Sequence, residues 1–220
     1  MTSMRNAISA TALLGLSVFA QAAPLTVVSY DTPNGASGTY HYWDVGYTGS
    51  GNTIEDGALL SGGTGDLTDG ITSDQNWNNI ENSAGTGPYI GWDSAVTPDP
   101  IVKFSFGGAV LINSIMIHMD DSDGFGGVAT PDAIEVSSNG SDYVGGQITD
   151  PTGAAPFVIT LPVNLTSSEL FVRFSYRNEW IFIDEISFDG TPANVPEPAL
   201  PALLGLGLAA IGWVRRNSLK

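Results

Sequence analysis

The chain has 220 residues, no cysteine, and 23 acidic residues against seven basic ones, which gives a formal net charge of −16. The lack of cysteine excludes disulfides, thiol catalysis, iron–sulfur clusters and cysteine-type zinc sites. The acidic balance argues against nucleic acid and anionic membrane surfaces as partners, because their phosphates would be repelled.

The amino-terminal 22 residues have the pattern of a secretory signal peptide. Arg5 supplies the positive region, residues 7–20 form a mostly apolar stretch, and Ala20-Gln21-Ala22 is a small-x-small cleavage site. We expect cleavage after Ala22, so that the mature chain begins at Ala23. A single-pass membrane anchor is the alternative, although the apolar stretch is short for one.

The carboxyl-terminal end carries a tripartite pattern. Pro196-Glu197-Pro198 is followed by 16 residues without a charge, 199–214, and then by Arg215 and Arg216. A helix of that length would reach about 24 Å, just short of a hydrocarbon core about 30 Å thick. The basic residues behind it predict that the end of the chain stays in the cytoplasm and that everything before it is exported.

This pattern resembles the PEP-CTERM sorting signal of Gram-negative bacteria. The resemblance implies export by the secretion machinery, transient insertion in the inner membrane, and recognition by a membrane-embedded exosortase that removes the tail. The mature protein is then expected at the cell surface or outside the cell. The implied boundaries are a linker over 191–198 with the motif Pro196, Glu197 and Pro198, a transmembrane sorting helix over 199–214, and a basic tail over 215–220 with Arg215 and Arg216.

The part between the two ends is strongly acidic. All 23 acidic residues lie between Ala23 and Glu197, where Lys103, Arg173 and Arg177 are the basic residues, which leaves a formal charge of −20. Such a surface favours divalent cations, and an exported domain meets calcium outside the cell. Solubility alone is the alternative explanation.

Short strand patterns dominate this part, and helical periodicity is absent. Apolar and polar side chains alternate in 102–106, as in a half-buried strand, and 110–119 is a longer strand whose alternation slips at Asn113-Ser114 and predicts a bulge. Residues 132–138 and 142–144 flank a Ser-Asn-Gly-Ser turn, which is typical of a hairpin. Further strands are predicted at 25–30, 157–161, 170–176 and 180–188. The even-numbered residues of 170–176 are expected to face inward, and 180–188 is expected to be covered on both faces. Residues 40–47 are rich in β-forming residues.

Residues 48–100 are rich in Gly, Asp, Asn, Ser and Thr, with short apolar anchors that include Leu59 and Ile71. A segment this long without regular structure is usually functional, and we interpret it as ordered loops pinned by aromatic side chains. Seven to nine short strands separated by turns indicate an all-β sandwich or barrel over residues 23–190. An amino-terminal signal helix and a carboxyl-terminal apolar helix are expected to flank it.

Five stretches of the domain stand in a characteristic order and spacing. They are Leu67-Thr-Asp-Gly70, Tyr89-Ile-Gly-Trp92, Ile101-Val-Lys-Phe-Ser-Phe-Gly107, Ile112-Asn-Ser-Ile-Met-Ile-His118 and Phe182-Ile-Asp-Glu-Ile186. The series resembles the galactose-binding-like jelly roll of discoidin-type domains and several carbohydrate-binding modules. The resemblance implies a single jelly-roll β-sandwich whose loops at one end bind glycans, lipids or proteins. It also implies a structural calcium between an early Asp-Gly loop and an acidic residue of the last strand.

Three carboxylates are expected to hold that calcium. Asp66 and Asp69 stand three apart in a Gly-rich turn, where Thr68 and backbone carbonyls can add oxygens. Since Ca²⁺ takes about six to eight oxygen ligands, another acid is needed, and the resemblance implies Glu185 on the last strand. The alternative is that Asp69 forms the turn and Glu185 faces solvent.

A second acidic cluster, Asp120, Asp121 and Asp123, precedes Gly124. It fails as an EF-hand loop, because Met119 and Thr130 stand where that loop requires acids. The three aspartates could still line a ligand site in a loop, and a solvated turn is the alternative.

Aromatic rings that stack on sugar C–H groups and planar polar groups that bind hydroxyls would mark a glycan site. The turn between the last two strands makes Arg177 and Trp180 the favoured residues. Core packing is the alternative for every tryptophan. The other residues predicted for such a site are Arg173 and Trp92, with Trp43, Trp77 and Tyr89 as further aromatic residues.

Catalytic patterns are missing from the sequence. His41 and His118 are the two histidines, no nucleophile elbow, zinc-protease or P-loop motif occurs, and His118 is expected to be a packed or surface residue. We therefore favour a noncatalytic surface or extracellular-matrix protein that binds exopolysaccharide and is stabilised by calcium. The alternatives are a self-associating structural matrix component without a sugar site, and a secreted polysaccharide hydrolase.

Overall fold

A computed structural model describes residues 23–193, which form nine β-strands, one short α-helix and two 3-10 turns. The helix α1 spans Trp77–Ile80, and the 3-10 turns span Asp66–Thr68 and Phe125–Gly127. The strands are β1 (Ala23–Pro24), β2 (Ser29–Pro33), β3 (Leu59–Gly63), β4 (Ile90–Asp93), β5 (Ile101–Met119), β6 (Ala133–Ser137), β7 (Val144–Gln147), β8 (Phe157–Ser175) and β9 (Trp180–Pro192).

The strands form a two-layered, all-β jelly-roll sandwich in which β5 and β8 each belong to both layers. In the first layer the order is β3, β2, the first half of β5, the second half of β8, β6 and β7. In the second layer β9 pairs with the second half of β5, which pairs with the first half of β8, while β1 and β4 pair with the other edge of β9. All these pairs are antiparallel.

The passage of β5 between layers occurs where its register shifts, between Ser105 and Val110. Gly107 lies there with φ +72°, a left-handed conformation that glycine adopts without steric cost. The strands predicted at 102–106 and 110–119 are thus one bent strand, and those predicted at 157–161 and 170–176 are the two ends of β8. The bulge predicted at Asn113-Ser114 is confirmed, because β5 shifts register between Ile112 and Ser114 against both neighbours.

The main hydrophobic core lies between the layers and follows the alternation of the strands. Leu170, Val172 and Phe174 are fully buried, as predicted, while Tyr176 is half-buried and donates its hydroxyl to the Thr97 carbonyl. The hairpin of β6 and β7 forms where predicted. The expected cover of the last strand on both faces is also confirmed, since residues 180–184 are all buried.

Other sequence predictions are wrong in detail. The strand predicted at 25–30 instead spans Ser29–Pro33, and residues 40–47, which are rich in β-forming residues, form bridges and turns. Leu59 and Ile71 are 70% and 58% exposed and anchor nothing. Residues 48–100 are ordered, but they include β3, α1 and β4.

The first half of β8 is a free edge of the sandwich, because within residues 23–193 it pairs only with β5. Pro162 lies on this edge opposite Ser114, and Asn164 has a positive φ of 53°. Residues 157–168 carry no charge.

Both ends of the domain lie together at one end of the sandwich, where Ala23 pairs with Gly190. The predicted signal peptide (1–22), the Pro-Glu-Pro motif, the sorting helix (199–214) and the basic tail lie outside the described residues. Within residues 23–193, no helix combines the length and apolar character that crossing a membrane requires.

Candidate functional site

A second aromatic cluster covers the outer face of β9 at its start. The β-strand alternation turns Ile181 and Ile183 into the main core, and it turns Trp180 and Phe182 to the opposite side. There Phe182 meets the Tyr42 ring at 4.6 Å between centroids and the Trp77 ring at 5.9 Å. The aromatic residues of 40–47 therefore cover the sheet instead of extending it.

This cluster forms the wall of a surface cleft of about 340 Å³, within the usual size of small-ligand sites. Gly126 has φ +65°, and a Cβ there would lie 2.5 Å from the Trp77 ring, so only glycine allows this close approach. The lining residues come from the loop before β3, α1, β4, the second 3-10 turn and β9. They are Ser37, Gly38, Thr39, Tyr42, Trp77, Asp93, Gly126, Val128, Glu179, Trp180 and Phe182.

Two carboxylates stand beside the aromatic wall, and sheet pairing fixes their positions. The register of β4 against β9 sets Asp93 opposite Trp180, and the Ser94 N–H donates to the Glu179 carbonyl at 3.0 Å. Asp93 is half-buried and accepts the Ala95 N–H at 2.8 Å, whereas Glu179 is exposed. The cleft therefore offers acceptors for hydroxyl or ammonium donors next to aromatic faces.

The indole Nε1 of Trp77 is buried and has no hydrogen-bond partner within residues 23–193. Buried indole N–H groups are usually paired, and such an orphan donor calls for an explanation.

Asp120 is a structural residue under the cleft. Asp120 is 1% exposed. Its Oδ2 accepts the backbone N–H of Trp77 at 2.6 Å, and its Oδ1 accepts from the side-chain amide of Asn76 at 2.9 Å. Burial raises the pKa of Asp120 to about 6. These bonds hold α1 and the Trp77 ring in place, so Asp120 supports the cleft without lining it.

The other two predicted aspartates of this loop do not line the cleft either. Asp121 is buried, with one carboxylate oxygen that accepts the Asp123 N–H and a second that has no partner among the described residues. Asp123 is exposed and takes a left-handed conformation with φ 49°. Asp120, Asp121 and Asp123 therefore lie in three different environments and do not form one ligand site.

Glu81 is a further buried acid that sequence analysis did not single out. It is 6% exposed, its Oε1 accepts the Tyr89 N–H at 3.0 Å, and its Oε2 has no partner within the described part of the chain. Burial, together with the negative charges of Asp120 and Asp184, raises the pKa of Glu81 to about 7. That Glu81 is buried follows only from the tertiary packing around it and could not be predicted from the sequence.

His118 is a packed residue, as predicted. Its Nδ1 lies 2.6 Å from Oδ1 of Asp184, which is fully buried and accepts the Ser73 N–H through Oδ2. Asp184 thus ties the segment before α1 to β9, and His118 ties β5 to the same carboxylate, outside the cleft.

The structure brings two of the three predicted calcium ligands to one place. The Gly70 N–H donates to Oε2 of Glu185 at 2.9 Å, which sets the Asp69-Gly70 turn against β9. Burial raises the pKa of Glu185 to about 7, and the Asp69 charge adds to this. Burial raises the pKa of Asp66 to about 8, and the nearby charges of Asp44 and Asp69 add to this. Within residues 23–193, no three acidic or histidine side chains are grouped as a ready metal site.

Of the residues named for a ligand site, Trp180 and Trp77 line the cleft, whereas Trp92, Arg173 and Arg177 lie elsewhere. Trp92 is fully buried in the main core and stacks on Phe174 at 5.8 Å, so its assignment to a ligand site is wrong. Arg173 binds Glu135 at 2.6 Å and lies over the Tyr143 ring. Arg177 donates to the Ile148 carbonyl at 2.6 Å and does not line the cleft.

Residues 26–190 match the family of the discoidin domain-containing receptor 1/2 DS-like domain. The chain belongs to this family. Residues 194–216 match the PEP-CTERM protein-sorting motif, which indicates an exported protein. No curated protein matches the chain.

Several solved structures are similar to this discoidin-like domain at low identity. CpGH89CBM32-6 from Clostridium perfringens shares 18% identity over 56% of this chain and 81% of its own, with a TM-score of 0.34. The C-terminal domain of a chitobiase from Bacteroides fragilis shares 18% over 77% and 95%, with a TM-score of 0.38. The family 32 carbohydrate-binding module of NanJ from C. perfringens, solved with galactose, shares 13% over 54% and 89%, with a TM-score of 0.31. The family assignment rests on the match over residues 26–190.

The buried acid Glu81 predicts a pH-dependent stability of the discoidin-like domain. Because its folded-state pKa of about 7 exceeds its ordinary value of 4.5, the folded protein retains a proton that the unfolded chain has released between these values. The contribution of Glu81 to the free energy of unfolding is therefore fully present below pH 4.5 and is lost as pH rises through about 7. Urea unfolding of the wild type should show a lower free energy at pH 8 than at pH 5. In Glu81→Gln this decrease should shrink by on the order of 2–3 kcal/mol.

Glu55→Gln is the matched control, since Glu55 is exposed. An equal pH dependence in wild type, control and Glu81→Gln would show that Glu81 is ionised in the folded protein at neutral pH.

Proposed function

We propose that this protein is an exported, noncatalytic carbohydrate-binding protein whose discoidin-like domain holds polysaccharide in the cleft at Trp180. The observation that carries the proposal is the combination, in one cleft, of aromatic side chains, of which Trp180 is the most exposed at 8%, with the carboxylates of Asp93 and Glu179, which form no ion pair within residues 23–193. Aromatic faces pack against sugar C–H groups, and carboxylates accept strong hydrogen bonds from hydroxyls. Exposed hydroxyls of Ser37 and Thr39 add further polar groups at the rim.

The environment of the two carboxylates supports binding rather than hydrolysis. A general acid in glycoside hydrolysis needs a carboxyl that its surroundings keep protonated near neutral pH. The acids whose pKa burial raises that far, such as Glu81 and Asp66, do not line the cleft. Glu179 is exposed to solvent.

The position of the cleft suits a protein sorted through its carboxyl-terminal end. Strand β9 begins at Trp180 in the cleft and ends at Pro192, after 13 residues, next to the point where the chain leaves the domain. At about 3.3 Å per residue this separates the cleft from that end by about 40 Å. The cleft thus lies at the opposite end of β9 from the point where the chain continues towards the sorting motif. We further propose that an exosortase removes the tail behind Pro196-Glu197-Pro198.

Calcium between the Asp69-Gly70 turn and β9 is part of the same proposal. The oxygen atoms present fit a hard cation: Thr68 Oγ1 is buried without a hydrogen-bond partner among residues 23–193, and the carboxylates of Glu185 and Asp69 accept the successive N–H groups of Gly70 and Ile71. Asp66, Asp69 and Glu185 would hold the ion, and the cation would offset the repulsion that these carboxylates now exert. Its role would be to fix the loop that leads into α1.

A tryptophan placed at the exposed Thr39 should block the cleft without disturbing the core. In affinity gels that contain the producer's exopolysaccharide, or neutral glycans from an array panel, Thr39→Trp should lose at least tenfold in retardation, because filling a binding pocket excludes the ligand. Thr152→Trp, also exposed but outside the cleft, is the control and should migrate as the wild type does. If the wild type is not retarded by any glycan, carbohydrate binding is not its function.

Calcium should raise the melting temperature of the purified protein. Since a ligand at a hundred times its dissociation constant adds about 2.7 kcal/mol, a shift of several degrees is expected between EDTA and millimolar Ca²⁺. Asp69→Asn and Glu185→Gln should abolish the shift, and the exposed Asp74→Asn should keep it. Identical melting of the wild type in EDTA and Ca²⁺ would rule out this site.

Removal of the tail should be visible in the mass of the secreted protein. When the gene is expressed in its producer, the wild type should be recovered without residues 199–220, because the sorting motif directs cleavage. A variant with alanine at Pro196, Glu197 and Pro198 should keep them. Recovery of the full tail on the exported wild type would contradict exosortase processing.

A further inference from the structure

The charge of the cleft is one-sided. Among its lining residues Asp93 and Glu179 are acidic, and none is Lys, Arg or His. Neither carboxylate takes part in an ion pair with any of residues 23–193. Both are therefore available to a cationic ligand.

The nearest basic residue in sequence does not neutralise this charge. Arg177 donates through Nη2 to the Ile148 carbonyl and through Nε to Thr130 Oγ1 at 3.2 Å, and it lies 3.8 Å from an oxygen of Asp150. Its guanidinium is thus occupied on the side of residues 130–150. A ligand with carboxylates would meet only repulsion in the cleft, in a domain whose formal charge is already −20 between Ala23 and Glu197.

The aromatic wall adds one further contact for positive charge, the ring of Trp180, which is 8% exposed while Tyr42 and Phe182 are 3% and 1% exposed. The Trp180 and Tyr42 rings meet edge to face at 5.2 Å, beside Trp77 and Phe182. A cation over an aromatic face is attracted by the negative charge of the ring, most strongly with tryptophan. An ammonium group can form charge-assisted hydrogen bonds with such carboxylates and contact the aromatic ring beside them.

From these observations we propose that the cleft selects glycans with free amino groups, polymers of the glucosamine type, over neutral and uronic-acid glycans. This inference rests on the proposed glycan-binding function and adds the class of sugar to it. The protonated amine would lie between Asp93 and Glu179 with its ring against Trp180, while the remaining hydroxyls face Ser37 and Thr39. Binding of the same polymer in N-acetylated form would use the aromatic wall alone.

The test compares two ligands that differ only in their acetyl groups, a glucosamine hexamer and an N-acetylglucosamine hexamer, with a galacturonic acid oligomer as the anionic arm. Isothermal titration of the purified full chain at pH 6 and low salt should show at least tenfold tighter binding of the glucosamine hexamer. The galacturonic acid oligomer should not bind. Salt should weaken binding of the amine form and leave that of the acetylated form nearly unchanged.

Charge variants locate the preference. Asp93→Asn and Glu179→Gln should each reduce it, and the double variant should bind both hexamers equally, because its aromatic wall is intact. Glu55→Gln removes an exposed carboxylate outside the cleft and should keep the full preference. A preference that persists in the double variant would show that the overall acidic surface, not the cleft, attracts the amine, and would overturn the inference.

The two proposals fail differently. If both hexamers bind equally to the wild type and Thr39→Trp abolishes both, the cleft binds glycans and the amine selectivity is wrong. If no glycan binds, both are wrong.

Discussion

The burial of strand β9 on both faces is the constraint on which the rest of the molecule depends. Its first five residues are all buried, with Trp180 the most exposed of them at 8%. Ile181 and Ile183 complete the core between the layers. Trp180 and Phe182 lie on the outer side of the sheet, where a second set of apolar side chains buries them. That cover is supplied by α1 and the loops around Tyr42 and Val128, and the cleft opens where the cover ends. The position of the cleft thus follows from the packing that buries the outer face of β9.

Local pattern predicted those parts of the fold that depend on neighbouring residues. The slip at Asn113-Ser114 predicted the bulge in β5, and alternation predicted the inward face of Leu170 to Phe174. The joining of strands was missed because Gly107-Gly108 has the composition of a turn, although β5 continues through it with a shifted register. Residues 40–47 have strand-like composition because aromatic residues serve equally well to pair within a sheet and to cover one.

The cleft itself could be predicted only in part. Trp180 was identified from its turn, but the choice between Trp92 and Trp77 depends on which face each ring takes, and neither residue type nor spacing contains that information. Asp93 and Glu179 are 86 positions apart in the chain and meet through the register of β4 against β9. The sequence also treats every acid alike, whereas Asp44, Glu81 and Asp120 are buried and their pKa values are raised. The folded domain is consequently less negative near neutral pH than its composition implies.

The free edge of the sandwich along the first half of β8 affects whether the protein aggregates at high concentration. An uncharged strand with bare amide groups is a template onto which further chains could add, and growth of that kind ends in fibrils. Pro162 removes one amide donor from this edge, and the left-handed Asn164 breaks its straight line two residues later. Molecules held at high density would therefore meet as separate particles rather than add to one another as a continuous sheet.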